Sequence, residues 1–584
     1  MSNQENKKEK SILQKKIINE TSIKIYSLII AALAMLMFEL GYCNNELLIN
    51  VIMKTGNPVQ YNFSLCRIIV YVLIFVIYML VNKKFINPAL EVAENKYKRV
   101  FIYIVSIMTI LITVIAIAIC IKNPLLFRGM TIGILATLMS NLFIIYVSND
   151  SIKNVIVTLS TLGILVSIVT NFNHAIDEKK HFMSAFNVSF LNFDFENKPI
   201  TDKQIEELPQ LSKFTTIDKF LRERYIPEIT DEVNMEDVPS TPANYSAILY
   251  IPSAIGMAIA RLTGGSIIDM YILGRIFNLI AYGILVCIAL KILPYKKNVF
   301  SVLFLMPMMI ALAGTYSIDG MCMGLVSIFI AYCLKIYDTS ETINIKQFCI
   351  LLGLFIAMLL AKSMAYIFVA LIVFMLPLKK TILKNKKYIP IMAITCFAAL
   401  AIFALLFLNI RNNRLGADTR WGGNINPEEQ IQFILHNPLA DIEIAINHFK
   451  DTLLSFNWYS MLHYDVFFAK DAKCVMLALM LFILYVAILD DTHNFKLKDK
   501  IILILSFIMV WGITSAPLYI TITEVGSLHI GGYQARYIMP ILPLMLMCIS
   551  SERLKSKENK NRNMNIAITS GVFVLIGLLQ AIIV

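Results

Sequence analysis

The sequence predicts an all-α polytopic membrane protein, and three observations carry the prediction. First, 58% of the 584 residues are hydrophobic and only 16% are charged, whereas soluble domains lie nearer half and a quarter. Second, apolar runs of roughly 17 to 23 residues recur along the chain, each long enough to cross a hydrocarbon core of about 30 Å. Third, these runs are continuous and do not alternate with period two. That argues against a membrane β-barrel and leaves helices, whose backbones satisfy their own hydrogen bonds in lipid. The net charge of +12 does not indicate nucleic acid, because Lys and Arg gather in short loops between apolar runs, as cytoplasmic loops do. The ten cysteines lie mostly inside apolar runs without metal-ligand spacing, and behave as small core hydrophobes. Cys43 and Cys66 are candidates to share the outer surface. The basic start runs into a full-length apolar segment without a small-residue cleavage pattern, so no cleavable signal peptide is expected.

The basic loops order the spans. Lys7, Lys8, Lys10, Lys15, Lys16 and Lys24 hold the N-terminus in the cytoplasm. Four spans follow, at about Ile25 to Gly41, Leu65 to Val81, Val100 to Ile121 and Met130 to Val147; they form an N-terminal extension over residues 1–152. A fifth span, about Lys153 to Thr170, leads outward into a first large loop over 171–243, where Thr201-Asp-Lys-Gln204 forms a capping box. Tyr245 to Leu262 has nearly the length of a span. If it crossed, the later basic clusters at Lys291 to Lys297, Lys379 to Lys387, Lys496 to Lys500 and Arg553 to Arg562 would all fall outside. It is therefore an interfacial helix, broken from the next span by Gly264-Gly265.

The remaining spans are about Tyr271 to Leu293, Val299 to Gly314, Gly320 to Ile336, Phe348 to Leu360, Met364 to Leu378, Ile389 to Ile410, Val475 to Leu489, Ile501 to Tyr519, Tyr537 to Ser550 and Ile566 to Ile583. That makes about fifteen. A second large outer loop, 411–474, contains two helix starts with Asn before Pro, at Asn426-Pro427 and Asn437-Pro438. After the second start Leu439, Ile442, Ile446, Phe449 and Leu453 share one face, the pattern of an amphipathic helix lying on the membrane or on the protein. No glycine-rich phosphate loop is present.

Parity then places several ionisable residues on the same outer side: Asp177, Glu178 and His181, Arg275, Asp319, Lys362 and Arg536. Singly, each is a snorkelling or helix-ending charge. Arg275 has Asp269 as a nearby partner, Lys362 can tie two short helices together, and His181 alone is a packed surface histidine. Together, charges near membrane depth line a cavity or pair with one another. Cations on one face suit a phosphate, and a carboxylate beside them can take a proton from an attacking hydroxyl.

The order of these features resembles a known family. An outer Asp177-Glu178-x-x-His181 helix precedes an aromatic segment from Asn244-Tyr245 to Tyr250-Ile-Pro252. Then come Gly274-Arg275-Ile-Phe-Asn278, Pro307-Met308 leading to Ser317-Ile-Asp319, Lys362 with Tyr366, Asn426-Pro-Glu-Glu-Gln430, His436-Asn-Pro438, and Gln534-Ala-Arg536-Tyr-Ile-Met-Pro540. Over roughly Lys153 to Val584 the chain resembles the bacterial polytopic family catalogued as domain of unknown function 2142, which is similar in layout to GT-C glycosyltransferases. One departure is Ile176, where members often carry Pro before the acidic pair. The resemblance implies a GT-C-like membrane domain over 153–584 in the bacterial cytoplasmic membrane. It implies a transferase moving a sugar from a polyprenyl-phosphate donor to a cell-envelope glycan acceptor. Asp177 would be the general base, with Glu178 or Asp319 placing the acceptor or a divalent metal; Lys362, Arg536 and Arg275 would hold the donor phosphate, and His181 would meet the acceptor.

Two other classes fit the same composition. A transporter or flippase for lipid-linked glycans also has many spans and central cations, but carries its charges at mid-span, whereas here they sit at span ends. A non-catalytic membrane partner of an envelope-assembly complex predicts that the acidic pair is dispensable.

Overall fold

A computed structural model describes residues 72, 139–140, 143, 146–170, 177–193, 245–263, 267–339, 342–362, 365–377, 423–454, 473–490, 492–549 and 561–583. Apart from Val72, the N-terminal spans before residue 139 lie outside the described residues, as do Cys43 and Cys66, the 201–204 capping box, the 389–410 span and the basic cluster at 379–387. Among the described residues every regular element is helical. Four helical segments are long and apolar enough to cross a membrane: Ser151–Ile168, Asp269–Ile292, Asp319–Thr339 and Leu497–Thr521. By length and composition alone, these helices support a membrane protein.

The first span starts where Asp150 caps it, its side chain accepting from the backbone N–H groups of Ile152 and Lys153. It runs as α1 (Ser151–Thr158), a π-helical turn (Leu159–Gly163) and α2 (Ile164–Val169). The helix α3 (Glu178–Ser189) follows. A 3₁₀ turn (Ala247–Tyr250) opens α4 (Ile251–Leu262), and α5 (Ile267–Ile292) is the second span. Then come α6 (Lys297–Phe304), α7 (Pro307–Ala313), α8 (Asp319–Thr339) and α9 (Ile345–Ala361). The remainder comprises a 3₁₀ segment (Ile367–Met375), α10 (Pro427–His436), α11 (Pro438–Phe449), α12 (Lys473–Leu489), α13 (Leu497–Thr521), α14 (Leu542–Leu546) and α15 (Arg562–Ile583).

Close approaches at glycines give the helix directions. A Cβ on Gly163 would touch Leu279 at 3.1 Å and one on Gly283 would touch Leu159 at 3.1 Å, so α5 runs antiparallel to the first span. Gly320 faces Tyr282, and a Cβ on Gly324 would lie 2.5 Å from that of Leu285, so α8 runs parallel to α5. The return between them is α6 and α7, broken because Pro307 forces Met306 into an extended conformation with ψ 140°. The bundle thus has two distinct ends. One gathers Thr170, Arg275, Thr315 to Asp319, Lys362 and Arg536. At the other, Asn154 donates to Asn563 O at 3.0 Å, Lys296 N to Thr492 Oγ1 at 2.9 Å and Tyr337 Oη to Asp499 at 2.8 Å. This second end carries Lys296, Lys297, Lys496, Lys498, Lys500 and Arg562.

Four segments differ from the sequence expectation, the first being Val299 to Gly314, which is broken into the short helices α6 and α7. Tyr537 to Ser550 is not a spanning helix: Pro540 and Pro543 lack the N–H that a helix interior needs, and only α14, of 5 residues, forms. Within the expected span Met364 to Leu378, the described residues form a 3₁₀ segment of 9 residues, Ile367–Met375, too short by itself to span. Asn437 occupies the N-cap position of α11 without capping it; its amide turns back to Phe433 O at 2.9 Å. The expected total of about fifteen spans is therefore not reached among the described residues, even though Asn426 does cap α10 by accepting from Glu428 N and Glu429 N. The segment read as interfacial, Ala247–Leu262, is short of a span. It packs against the first half of α5 so closely that a Cβ on Gly256 would lie 2.5 Å from Leu273 O.

That contact yields a test. Gly256→Ala should destabilise the protein by roughly 1–3 kcal/mol, because the atom it meets is backbone and cannot yield. Gly353→Ala in α9 and Gly512→Ala in α13 meet nothing within 4 Å and should be neutral or stabilising, since Ala is the better helix former. Thermal unfolding of the three purified variants in one detergent reads the difference.

Candidate functional site

The turn before α8 is pinned from beneath. Asn278 on α5 donates to Thr315 O at 2.7 Å and to Ser317 O at 3.0 Å, and Tyr316 Oη donates to Tyr271 O at 3.0 Å. Held there, Ser317 donates to Asp319 Oδ2 at 3.1 Å. The Asp319 carboxylate meets two cations from distant parts of the chain: Lys362 Nζ at 2.5 Å and Arg536 Nη1 at 3.4 Å. Lys362 is the residue at which α9 stops, and Arg536 sits in a 3₁₀ turn (Ala535–Tyr537). The Tyr537 ring backs both cations, 4.5 Å from Lys362 Nζ and 5.5 Å from the Arg536 guanidinium carbon. Arg536 Nη2 also lies 3.8 Å from Asp177 Oδ2. Charge-assisted hydrogen bonds measure about 2.7–2.9 Å, so both Arg536 ion pairs are loose.

The carboxylates differ in setting. The Asp319 side chain is 3% exposed and the Asp177 side chain 42%, so Asp177 forms the rim of the cluster. Its backbone is left-handed, with φ 56°, and its side chain does not cap α3, which begins one residue later. Aspartate tolerates that conformation better than most residues, at a cost of about 1–3 kcal/mol.

Glu178 is turned the other way. Its two oxygens accept from Arg275 Nε at 2.8 Å and Nη2 at 2.9 Å, and both side chains are 0% exposed. Arg275 Nη1 donates in addition to Ser167 O at 3.1 Å and Thr170 O at 2.7 Å, the carbonyls that end α2. Arg275 therefore pairs with Glu178, joining α3, α5 and the first span, and neither member of the pair reaches solvent.

His181 lies in the wall of the cluster. Its Nδ1 is 2.8 Å from Tyr250 Oη, and its ring stacks on Tyr245 with centroids 5.8 Å apart. Burial, helped by the Arg536 charge, pushes its pKa down to about 4 against the opposing pull of Asp319 and Asp177. Neutral imidazole is thus its form near neutrality. Tyr245, Tyr250, Tyr537, Asn278 and Ser317 belong to the site although the sequence did not single them out as functional. The signal was the density of aromatic and polar residues in the same motifs that carry Lys362, Asp319 and Arg536.

As a set, Lys362 and Arg536 balance Asp319 and Asp177 in formal charge. The donor set does not suit a divalent metal: Asp319 faces a cation on each oxygen, and among the described residues no three His, Cys, Asp or Glu converge to hold an ion.

Two outcomes follow from this geometry. Glu178→Gln leaves the Arg275 charge buried and should cost roughly 3–5 kcal/mol in thermal stability. Glu178→Met with Arg275→Met should recover part of that loss, short of the full amount because Arg275 also caps α2. The second concerns pH. The folded chain holds His181 at about 4, against 6.5 ordinarily, so between these values the unfolded chain binds the extra proton. Stability should fall as pH drops from about 6.5 toward 4, and His181→Gln should flatten part of that slope. His448, pushed down to about 4 by burial, accounts for a further part that the variant leaves in place.

No curated protein and no solved structure matches this chain. The family described as predicted membrane protein (DUF2142) matches residues 159–545, a stretch that holds every residue of the cluster. The chain belongs to that family of membrane proteins.

Proposed function

We propose that the protein is a membrane transferase that moves a sugar from a polyprenyl-phosphate donor to a cell-envelope glycan acceptor, on the extracytoplasmic side of a bacterial cytoplasmic membrane. The observation that supports it most directly is the convergence of Lys362 and Arg536 beside the exposed carboxylate of Asp177. The side is argued from charge: the opposite end of the bundle carries Lys296, Lys297, Lys496, Lys498, Lys500 and Arg562, the composition of a cytoplasmic face. The same rule keeps the N-terminus cytoplasmic.

In this reading the acceptor hydroxyl attacks the anomeric carbon while the bond from that carbon to the phosphate oxygen breaks. The carbon inverts, the proton passes to the Asp177 carboxylate, and the electron pair leaves with polyprenyl phosphate. Lys362 and Arg536 hold the phosphate as its charge grows. Asp319 aligns the two cations, and His181 with Tyr245 forms the wall against which the acceptor sugar rests. Glu178 and Arg275 act by fixing α3, and so the position of Asp177.

The test is transfer from a polyprenyl-phosphate sugar by purified protein in liposomes, alongside envelope glycan composition in cells. Asp177→Asn keeps shape but removes the basic oxygen, and should lower turnover by about 10² to 10⁴ with donor binding intact. Lys362→Met with Asp319→Asn, or Arg536→Met, should weaken donor binding by about tenfold to a hundredfold, the worth of a contact of roughly 1.5–3 kcal/mol. Full glycan modification with Asp177→Asn would remove this residue as base. Translocation of the intact donor without sugar transfer would identify a flippase, and silence of the whole set would leave a non-catalytic partner.

A further inference from the structure

The helix α11 lies at the same end of the bundle as the cluster and carries an apolar stripe of its own. Leu439 is 82% exposed, Ile442 58%, Ile446 49% and Phe449 44%. The opposite side of the helix is firmly docked. His448 stacks on Trp511 of α13 with centroids 4.8 Å apart, and its Nε2 lies 2.6 Å from Ser515 Oγ. Trp511 Nε1 donates to Thr452 Oγ1 at 3.1 Å. The stripe is therefore held in a fixed orientation, turned away from the span except at its end, where Phe449 meets the Trp511 ring edge-on at 6.3 Å.

The span itself indicates what the stripe faces. On α13 the large exposed apolar side chains are Leu497, Ile501, Ile504, Leu505, Ile508 and Met509, and they stop there. From Leu497 to Met509 the helix rises about 18 Å, which covers little more than half of a hydrocarbon core of about 30 Å. One turn further on, at Trp511 and Ser515, α11 covers the span. Around α11 the stripe adjoins a polar edge with exposed Glu443 and Lys450. One side thus meets the protein, one is apolar and one is polar, the arrangement of a helix at a membrane boundary.

We infer that α11 completes the lipid-facing surface of α13, with its Leu439–Ile442–Ile446–Phe449 stripe immersed in the hydrocarbon chains of the outer half of the bilayer. The stripe continues the apolar surface of α13 where that surface ends, and its polar edge faces the headgroups. The placement holds whatever chemistry the cluster performs. It does bear on the cluster, because His448 meets Tyr533 edge-on at 4.7 Å and Tyr533 meets Tyr537 at 5.6 Å. A helix seated in lipid is then two rings away from Lys362 and Arg536.

Nitroxide labels at Leu439→Cys, Ile442→Cys and Ile446→Cys test the placement. They are introduced singly into the full chain with other accessible cysteines replaced by Ala, in phosphatidylethanolamine and phosphatidylglycerol liposomes. Thermal unfolding selects variants that keep the native fold. Collision with dissolved oxygen should exceed collision with a water-soluble nickel chelate at all three sites, and the ratio should be several-fold lower for Glu443→Cys. Greater access of nickel than oxygen at the stripe would place it in water and overturn the inference. Exclusion of both reagents would place it under protein, whether another part of this chain, a second copy or a partner, and would overturn it equally.

Discussion

The buried pair of Glu178 with Arg275 is the interaction on which the end of the bundle that holds Asp319, Lys362 and Arg536 depends. A carboxylate and a guanidinium at 0% exposure are tolerable only when each satisfies the other, because desolvation costs several kcal/mol per ion. Bidentate geometry meets that condition for the carboxylate. Ser167 O and Thr170 O take the remaining guanidinium donor, so one residue also closes the end of the first span. Three elements whose apolar packing alone would slide easily are thereby fixed in register. Asp177 is the next residue along the chain, so its place at the rim, within 3.8 Å of Arg536, is set by a pair that does not face the site.

A second ion cluster is built on the opposite principle. Asp319, Lys362 and Arg536 come from three separate helix ends, and the Arg536 contacts are loose at 3.4 and 3.8 Å. A stabilising device would be expected to close these distances. Here the tight contact, Lys362 to Asp319 at 2.5 Å, orders one cation, while the other remains at a separation that an incoming anion can shorten. Tyr537 beneath both cations and the Tyr245 ring against His181 bound the cluster with aromatic surface. This favours an occupant with both charge and apolar or sugar faces.

Much of this was legible in the sequence, and the remainder was hidden for identifiable reasons. Hydropathy marks the helices of α1–α2, α5, α8, α9, α12, α13 and α15, and loop charge groups Asp177, Glu178, His181, Arg275, Asp319, Lys362 and Arg536 on one side. The divergence of Asp177 and Glu178 was not legible. Asp177 stands just outside α3 in a left-handed conformation while Glu178 is the first residue of the helix, so one faces the rim and the other the interior, and the position of Arg275 decides which. Along the chain Asp269 is by far the nearer partner for Arg275, since Glu178 stands 97 residues away. Proline misled in the other direction: Tyr537 to Ser550 is apolar enough to span, yet Pro540 and Pro543 confine its helix to α14. The tyrosines of the site were overlooked because an aromatic beside a span reads first as an interfacial anchor.

The charge balance of the site bears on binding in the proposed mechanism. With Lys362 and Arg536 set against Asp319 and Asp177, the resting cluster carries no formal surplus to draw an anion. A phosphate that enters must compete with a carboxylate for a cation. Asp319 is the harder to displace, since it is buried, holds Lys362 at 2.5 Å and accepts from Ser317 at 3.1 Å. Asp177 is exposed and meets Arg536 only at 3.8 Å, so it is the carboxylate that gives way. In the proposed reaction its left-handed backbone keeps it at the rim, on the side from which an acceptor hydroxyl would arrive.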